Sequence, residues 1–93
     1  MTEFEWDTDK AAENLRKHGG SFEFAAKAFR DPFAVEWIDD REDYGEERTI
    51  LLGMADGSIL VVVYTERENR IRLISARRAT KNEQDIYHSK NGA

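Results

Sequence analysis

Hydrophobic and polar residues alternate along this chain with two different periods, and the change of period divides it. Phe4-Glu5-Trp6 alternates with period two, as a short strand does. Asp7 has the short acceptor side chain of an N-cap, and residues 8–17 then read as a helix stopped by Gly19-Gly20. Within that helix Ala11, Leu15 and His18 share a face by three- and four-residue spacing. Ser21 can cap a second helix over residues 22–30, whose Phe22, Ala25, Ala26 and Phe29 form an apolar stripe. Asp31-Pro32 ends it, because proline disfavours helical backbone in the residue before it.

Beyond Pro32 the period shortens. Residues 33–38 read as a strand, and an acidic loop over 39–46 follows. Residues 48–54 form the next strand, and Ala55-Asp56-Gly57 carries a turn signal. Residues 59–65 are apolar on both faces, which marks a strand inside a sheet. A turn over 66–69 leads to a strand over 70–76 with Ile71 and Leu73 on one face. Thr80-Lys81-Asn82-Glu83 has the form of a capping box and opens a last helix toward His88. Strand, two helices, a meander of strands and one helix predict a single α+β domain with a largely antiparallel sheet over residues 1–93.

Composition agrees with that reading and narrows the chemistry. Of 93 residues 40% are hydrophobic, enough for one modest core, and they are clustered rather than diluted, which excludes disorder for most of the chain. Cysteine is absent, so neither a disulfide framework nor a thiolate metal site exists. The acidic start lacks an apolar stretch and does not read as a signal peptide. The longest apolar run, from Ile59 to Tyr64, is too short to span a membrane. A soluble, cytoplasmic protein with no membrane partner is expected.

The net charge of −5 opposes binding of nucleic acid through the overall field. Its distribution changes that picture. Acids dominate the first half, with a knot at Asp39, Asp40, Glu42, Asp43, Glu46 and Glu47. In the stretch 67–81 the order reverses, and Arg67, Arg70, Arg72, Arg77, Arg78 and Lys81 face only Glu68. Such asymmetry points to a local anion site on an acidic body.

No phosphate-binding glycine loop, dinucleotide fingerprint or nucleophile elbow is present, and neither histidine belongs to a metal-ligand spacing, so no cofactor is assigned. Lys17 and His18 end the first helix. They complement its dipole, an effect of about 0.3–1 kcal/mol, or they place a general acid or base beside a phosphate-binding lysine. Period-two counting puts Arg77 on the face of Ile71, Leu73 and Ser75, where a guanidinium must find an anion. Glu47 is one internal candidate and a ligand phosphate is another; the spacing fits both. Trp6, Trp37, Tyr44, Tyr64 and Tyr87 are core residues by default, although Trp6 and Tyr64 could stack an RNA base beside an arginine cluster. The acidic loop reads as a solvated segment without calcium-loop spacing.

Taken together, several of these residues are familiar. Phe4-Glu5-Trp6-Asp7, Lys10, Asn14 and Lys17-His18-Gly19 are followed by Phe22-Glu23, Ala25, Phe29 and Asp31-Pro32. Glu47-Arg48, Gly53 and the block from Arg70 to Lys81 complete an ordered set that resembles the BrnT family of bacterial toxins over nearly the whole chain. Gly20 and Gln84 depart from it, where a branched apolar and a basic residue are usual. The resemblance implies a RelE-like fold and a ribonuclease toxin of a type II toxin–antitoxin pair, which cleaves RNA without a metal. It also implies a BrnA-like antitoxin that carries the DNA-binding part, so operator DNA is reached only through that partner. The antitoxin is expected to cover the basic stretch 67–81 with acidic or apolar residues.

Metal-free RNA cleavage needs cations for the phosphorane and groups that move two protons. Arg77 and Arg48 are expected on the scissile phosphate, with Lys17 and Arg67 adding charge. His18 and Glu47 remain for proton transfer, Trp6 and Tyr64 for base stacking, and Arg78 and Lys81 for the RNA backbone. A rival reading has no catalysis at all: a small binding module whose acidic face holds a basic partner.

Overall fold

The computed structural model describes residues 3–92. In chain order they form β1 (Glu3–Glu5), α1 (Thr8–His18), α2 (Phe22–Ala25), a 3-10 segment (Ala26–Arg30), β2 (Val35–Asp39), β3 (Arg48–Ala55), β4 (Ser58–Arg67), β5 (Arg70–Arg78) and α3 (Lys81–Lys90). The chain is α+β. β2 to β5 run antiparallel in succession, and β1 adds to the far edge beside β5, giving the order β1-β5-β4-β3-β2. β1 is parallel to β5, so the sheet is mixed rather than wholly antiparallel.

Local chemistry accounts for most boundaries. The Asp7 carboxylate accepts from the amides of Asp9 and Lys10 at the start of α1, and Gly19 ends the helix in the left-handed region at φ 72°. Both tight hairpins use positive φ, at Asp56-Gly57 and at Glu68-Asn69. The second helix differs from expectation. After one turn it tightens into the 3-10 segment, which carries Ala28 against β3. A Cβ on Gly53 would stand 2.9 Å from the Ala28 carbonyl oxygen, so the close approach depends on glycine there. Phe29 at the end of this segment packs edge-on against both Phe4 and Tyr64.

Each sheet face has its own core. The α1–α2 side buries Phe22, Ala25, Ala28, Leu51, Val62 and Leu73, and Trp6 packs edge-on against Phe22 there. The opposite side buries Leu52, Val61 and Val63 with Ala79 and Tyr87 of the α3 region. α3 is tied down at the sheet rim, where the Tyr87 hydroxyl donates to Asp31, whose carboxylate also accepts the Met54 amide.

One irregularity decides where the arginines point. Val63 pairs with Ser75 and Tyr64 with Leu73, which leaves Ile74 as the extra residue of a bulge. Ile71 and Leu73 therefore face the α1–α2 side, while Arg77, opposite Val61, faces the α3 side. Counting in twos from Leu73 puts Arg77 on the wrong face, because the bulge inserts one residue into the count. Arg78, opposite Leu60, takes the α1–α2 side instead.

Candidate active site

α1 reaches β5 through a single polar side chain. Asn14 is the buried residue of that helix, and its amide binds the free backbone edge of Ala76, beyond the short span that β1 covers. Leu15, on the face expected to hold Ala11 and His18 as well, is 51% exposed. The Asn14 amide also donates to the Gly20 carbonyl at 3.3 Å, which holds the helix exit against the end of β5. His18, Gly19, Ser21, Arg77 and Arg78 consequently line one cleft of about 420 Å³, floored by Phe24, Ala25 and Leu60. Lys17 is adjacent in sequence and lies 3.5 Å from Glu13 in an exposed pair. Lys81 begins α3 just beyond the strand, paired with Asp85 at 2.5 Å.

Arg77 is anchored by a carboxylate, but not by the one expected. Its guanidinium forks onto Glu83 with two contacts of 2.8 Å, and Glu47 takes no part. Glu83 also closes the capping box with Thr80, accepting the Thr80 amide while the Thr80 hydroxyl accepts the Glu83 amide. The fork and that amide hold the Glu83 carboxyl down at about 2, against an opposing desolvation effect. A further bond to the Arg78 carbonyl occupies a third of the five Arg77 N–H groups. The Glu83 carboxylate favours the charged form of Arg77, and a weaker repulsion from Arg41 in the acidic loop works against it.

Arg78 is different. It is exposed, and among the described residues its guanidinium has no ion pair and no hydrogen bond. The cleft that it shares with His18 contains no carboxylate.

The other expected site residues lie at the opposite end of the strands. The Thr65 hydroxyl donates to the Glu47 carbonyl, and Thr65 is four residues along β4 from Val61, the partner of Arg77. That separation is about 13 Å. Glu47 and His18 therefore do not share a site. Arg48 pairs with Glu46 at 3.2 Å and stacks 4.0 Å from the Tyr44 ring centre, and Arg67 reaches the same Glu46 at 3.6 Å. The cleft there is larger, about 580 Å³, yet Glu46, Glu47 and Glu66 line it and make it hostile to phosphate.

The aromatic expectations also change. Tyr64 is 4% exposed and edge-on to Phe29, so its ring offers no face to a base. Burial pushes its hydroxyl up to about 12. Trp6 is half-buried and lines a groove with Ala11, Leu15 and Phe22 between α1 and α2. The acidic loop is not wholly solvated: Asp39 is buried, forked by Arg41 at 2.7 Å and contacted by the Tyr44 hydroxyl, which holds its carboxyl at about 2.

A family model for the ribonuclease toxin BrnT of type II toxin–antitoxin systems matches residues 6–83. The chain belongs to the BrnT family. It is accordingly a ribonuclease toxin of the type II class, a class defined by pairing with an antitoxin. No curated protein matches significantly. The span matched to the BrnT model includes His18, Arg77 and Arg78, which line the cleft at the end of β5, and Asn14 and Glu83, which hold its walls. No described helix is long and apolar enough to cross a membrane.

The roles of Asn14, Arg41 and Glu83 escaped the sequence reading. Glu83 carried a signal, since a capping-box glutamate six residues after an arginine has a free oxygen to offer it. Asn14 carried one too: it stands three residues after Ala11, on the inner face of a helix with few apolar positions.

Proposed function

We propose that this chain is a metal-independent endoribonuclease whose chemistry takes place in the cleft between the end of α1 and the end of β5. The observation that carries the reading is the free Arg78 guanidinium beside His18 in a cleft without carboxylates, on a chain whose net charge is −5. A phosphodiester entering there meets cations and no competing anion.

In this reading Arg78 takes the non-bridging oxygens of the scissile phosphate, as its planar fork allows. Arg77, with two N–H groups left after its internal bonds, supports the same phosphate from the α3 side. The ribose 2′-oxygen attacks phosphorus as its proton leaves, the bond from phosphorus to the 5′-oxygen breaks, and that oxygen gains a proton. The products are a 2′,3′-cyclic phosphate and a 5′-hydroxyl. His18 serves the proton transfers, for an imidazole ring can both accept and donate a proton. Lys17 and Lys81 add charge at the mouth. Arg48, Arg67 and Glu47 form a separate patch and are not assigned to the reaction.

The reading extends to the partner: a BrnA-like antitoxin with its own DNA-binding part that covers the basic end of β5. Cytoplasmic RNA is then the target, and loss of translation and growth the outcome. Induction of the wild-type chain in bacteria beside Arg78→Ala tests it. Growth arrest and RNA cleavage with wild type only are expected. A wild-type chain that neither arrests growth nor cuts RNA leaves the non-catalytic binding module in its place.

A further inference from the structure

Arg78 borders two clefts, and only one of them contains His18. The second, of about 320 Å³, lies between the β3–β4 turn and α3. Ser58, Gln84 and His88 line it together with Arg78, and again no carboxylate is among its lining residues. In a chain with 19 acidic residues, two adjoining clefts without one stand apart from the acidic cleft at the other end of the strands.

Its polar groups are held in place. The Gln84 side-chain amide donates to the Ala79 carbonyl at 3.2 Å, which fixes the side chain while leaving its oxygen and second N–H available. The His88 ring stands edge-to-face on the Tyr87 ring, with centroids 5.4 Å apart at 86°. Tyr87 is itself buried and anchored through its hydroxyl to Asp31. The imidazole is exposed yet rests against a rigid support.

We infer that this second cleft is a subsite for the nucleotide flanking the scissile phosphate, with Arg78 as the cation common to both. The inference rests on the ribonuclease reading above. A single-stranded RNA crossing the end of β5 passes from the His18 cleft over Arg78 to Ser58, Gln84 and His88. The subsite supplies a phosphate-binding edge and hydrogen-bonding groups for a ribose or base.

The test uses the full chain with single-stranded RNA oligonucleotides of mixed sequence whose 2′-hydroxyls are methylated to prevent cleavage, one a trimer and one an octamer. In His88→Ala the ratio of octamer to trimer affinity is expected to fall about tenfold, the loss of one good contact. In Gln84→Lys the octamer gains a phosphate contact, and the slope of log affinity against log salt steepens by about 0.7. An unchanged affinity ratio in His88→Ala overturns the subsite, whatever the lysine does. A wild-type chain that binds neither oligonucleotide and cuts no unmodified RNA removes the ribonuclease reading and the subsite together. Cleavage by wild type with an unaltered ratio in the variant removes the subsite alone.

Discussion

Asn14 grips Ala76 by both of its backbone groups, donating from Nδ2 to the carbonyl at 2.8 Å and accepting the amide on Oδ1 at 3.1 Å. A side chain on a helix thereby completes a strand edge where no neighbouring strand is available. Asn14→Ala leaves both Ala76 groups buried without partners, at a cost of about 1–3 kcal/mol. In a domain of this size that lowers the melting temperature by roughly 4–8 °C per kcal/mol. Thermal unfolding followed by circular dichroism measures it, and an unshifted transition denies the contact its role.

Gly53 makes a second stability prediction. The Cβ of Gly53→Ala meets the Ala28 carbonyl, a backbone atom that cannot swing aside. Separating β3 from the 3-10 segment is expected to cost about 1–3 kcal/mol. A denaturant midpoint equal to wild type refutes this.

Arg77 and Arg78 are neighbours with opposite expectations. Arg78→Ala removes an exposed, unpaired side chain and should change stability by no more than about 0.5 kcal/mol while abolishing growth arrest. Arg77→Ala strands Glu83, so it should lower the melting temperature as well as activity. Melting curves and growth assays on the two variants, run side by side, separate them. Full toxicity in a folded Arg78→Ala chain eliminates the phosphate role.

The same ion pair sets a pH dependence. Glu83 titrates at about 2 in the fold instead of its ordinary 4.5, so its contribution is complete above the unfolded value and declines as pH drops toward 2. Glu83→Gln should thus be less stable than wild type at neutral pH, with the difference narrowing below about pH 4.5. Melting temperatures of both chains across that range decide the matter. A gap that stays constant down to pH 2 contradicts the assignment.

Cleavage of RNA should persist in EDTA, because guanidinium groups in the cleft take the place of a cation on the phosphate. A gel-based cleavage assay with and without chelator is sufficient. Activity that is lost in EDTA and returns with Mg²⁺ or Zn²⁺ contradicts it.

Elements set by local chemistry were legible in the sequence. The Asp7 cap, the Gly19 stop and the Thr80–Glu83 capping box each depend on residues within three positions of one another. What escaped depends on distant partners. Ile74-Ser75-Ala76 contains no glycine or other mark of a bulge, which arises from register with β4. The second helix tightens because Ala28 must reach Gly53, 25 residues further on. The candidate site inherits that division. His18, Arg77 and Arg78 line one cleft, whereas Glu47, Arg48 and Arg67, grouped with them in the sequence by charge, lie at the other end of the strands.

The extra residue at Ile74 makes the middle of β5 a buffer against a change in length. Removing Ile74 leaves Leu73 opposite Tyr64 and Ser75 opposite Val63, so Arg77 stays opposite Val61 on the α3 side and Arg78 stays opposite Leu60. Removing a second residue, with no bulge left to absorb the loss, turns Arg77 to the α1–α2 side and costs it the fork with Glu83. The strand therefore tolerates the loss of one residue here, but not of two, without changing the face that each arginine takes.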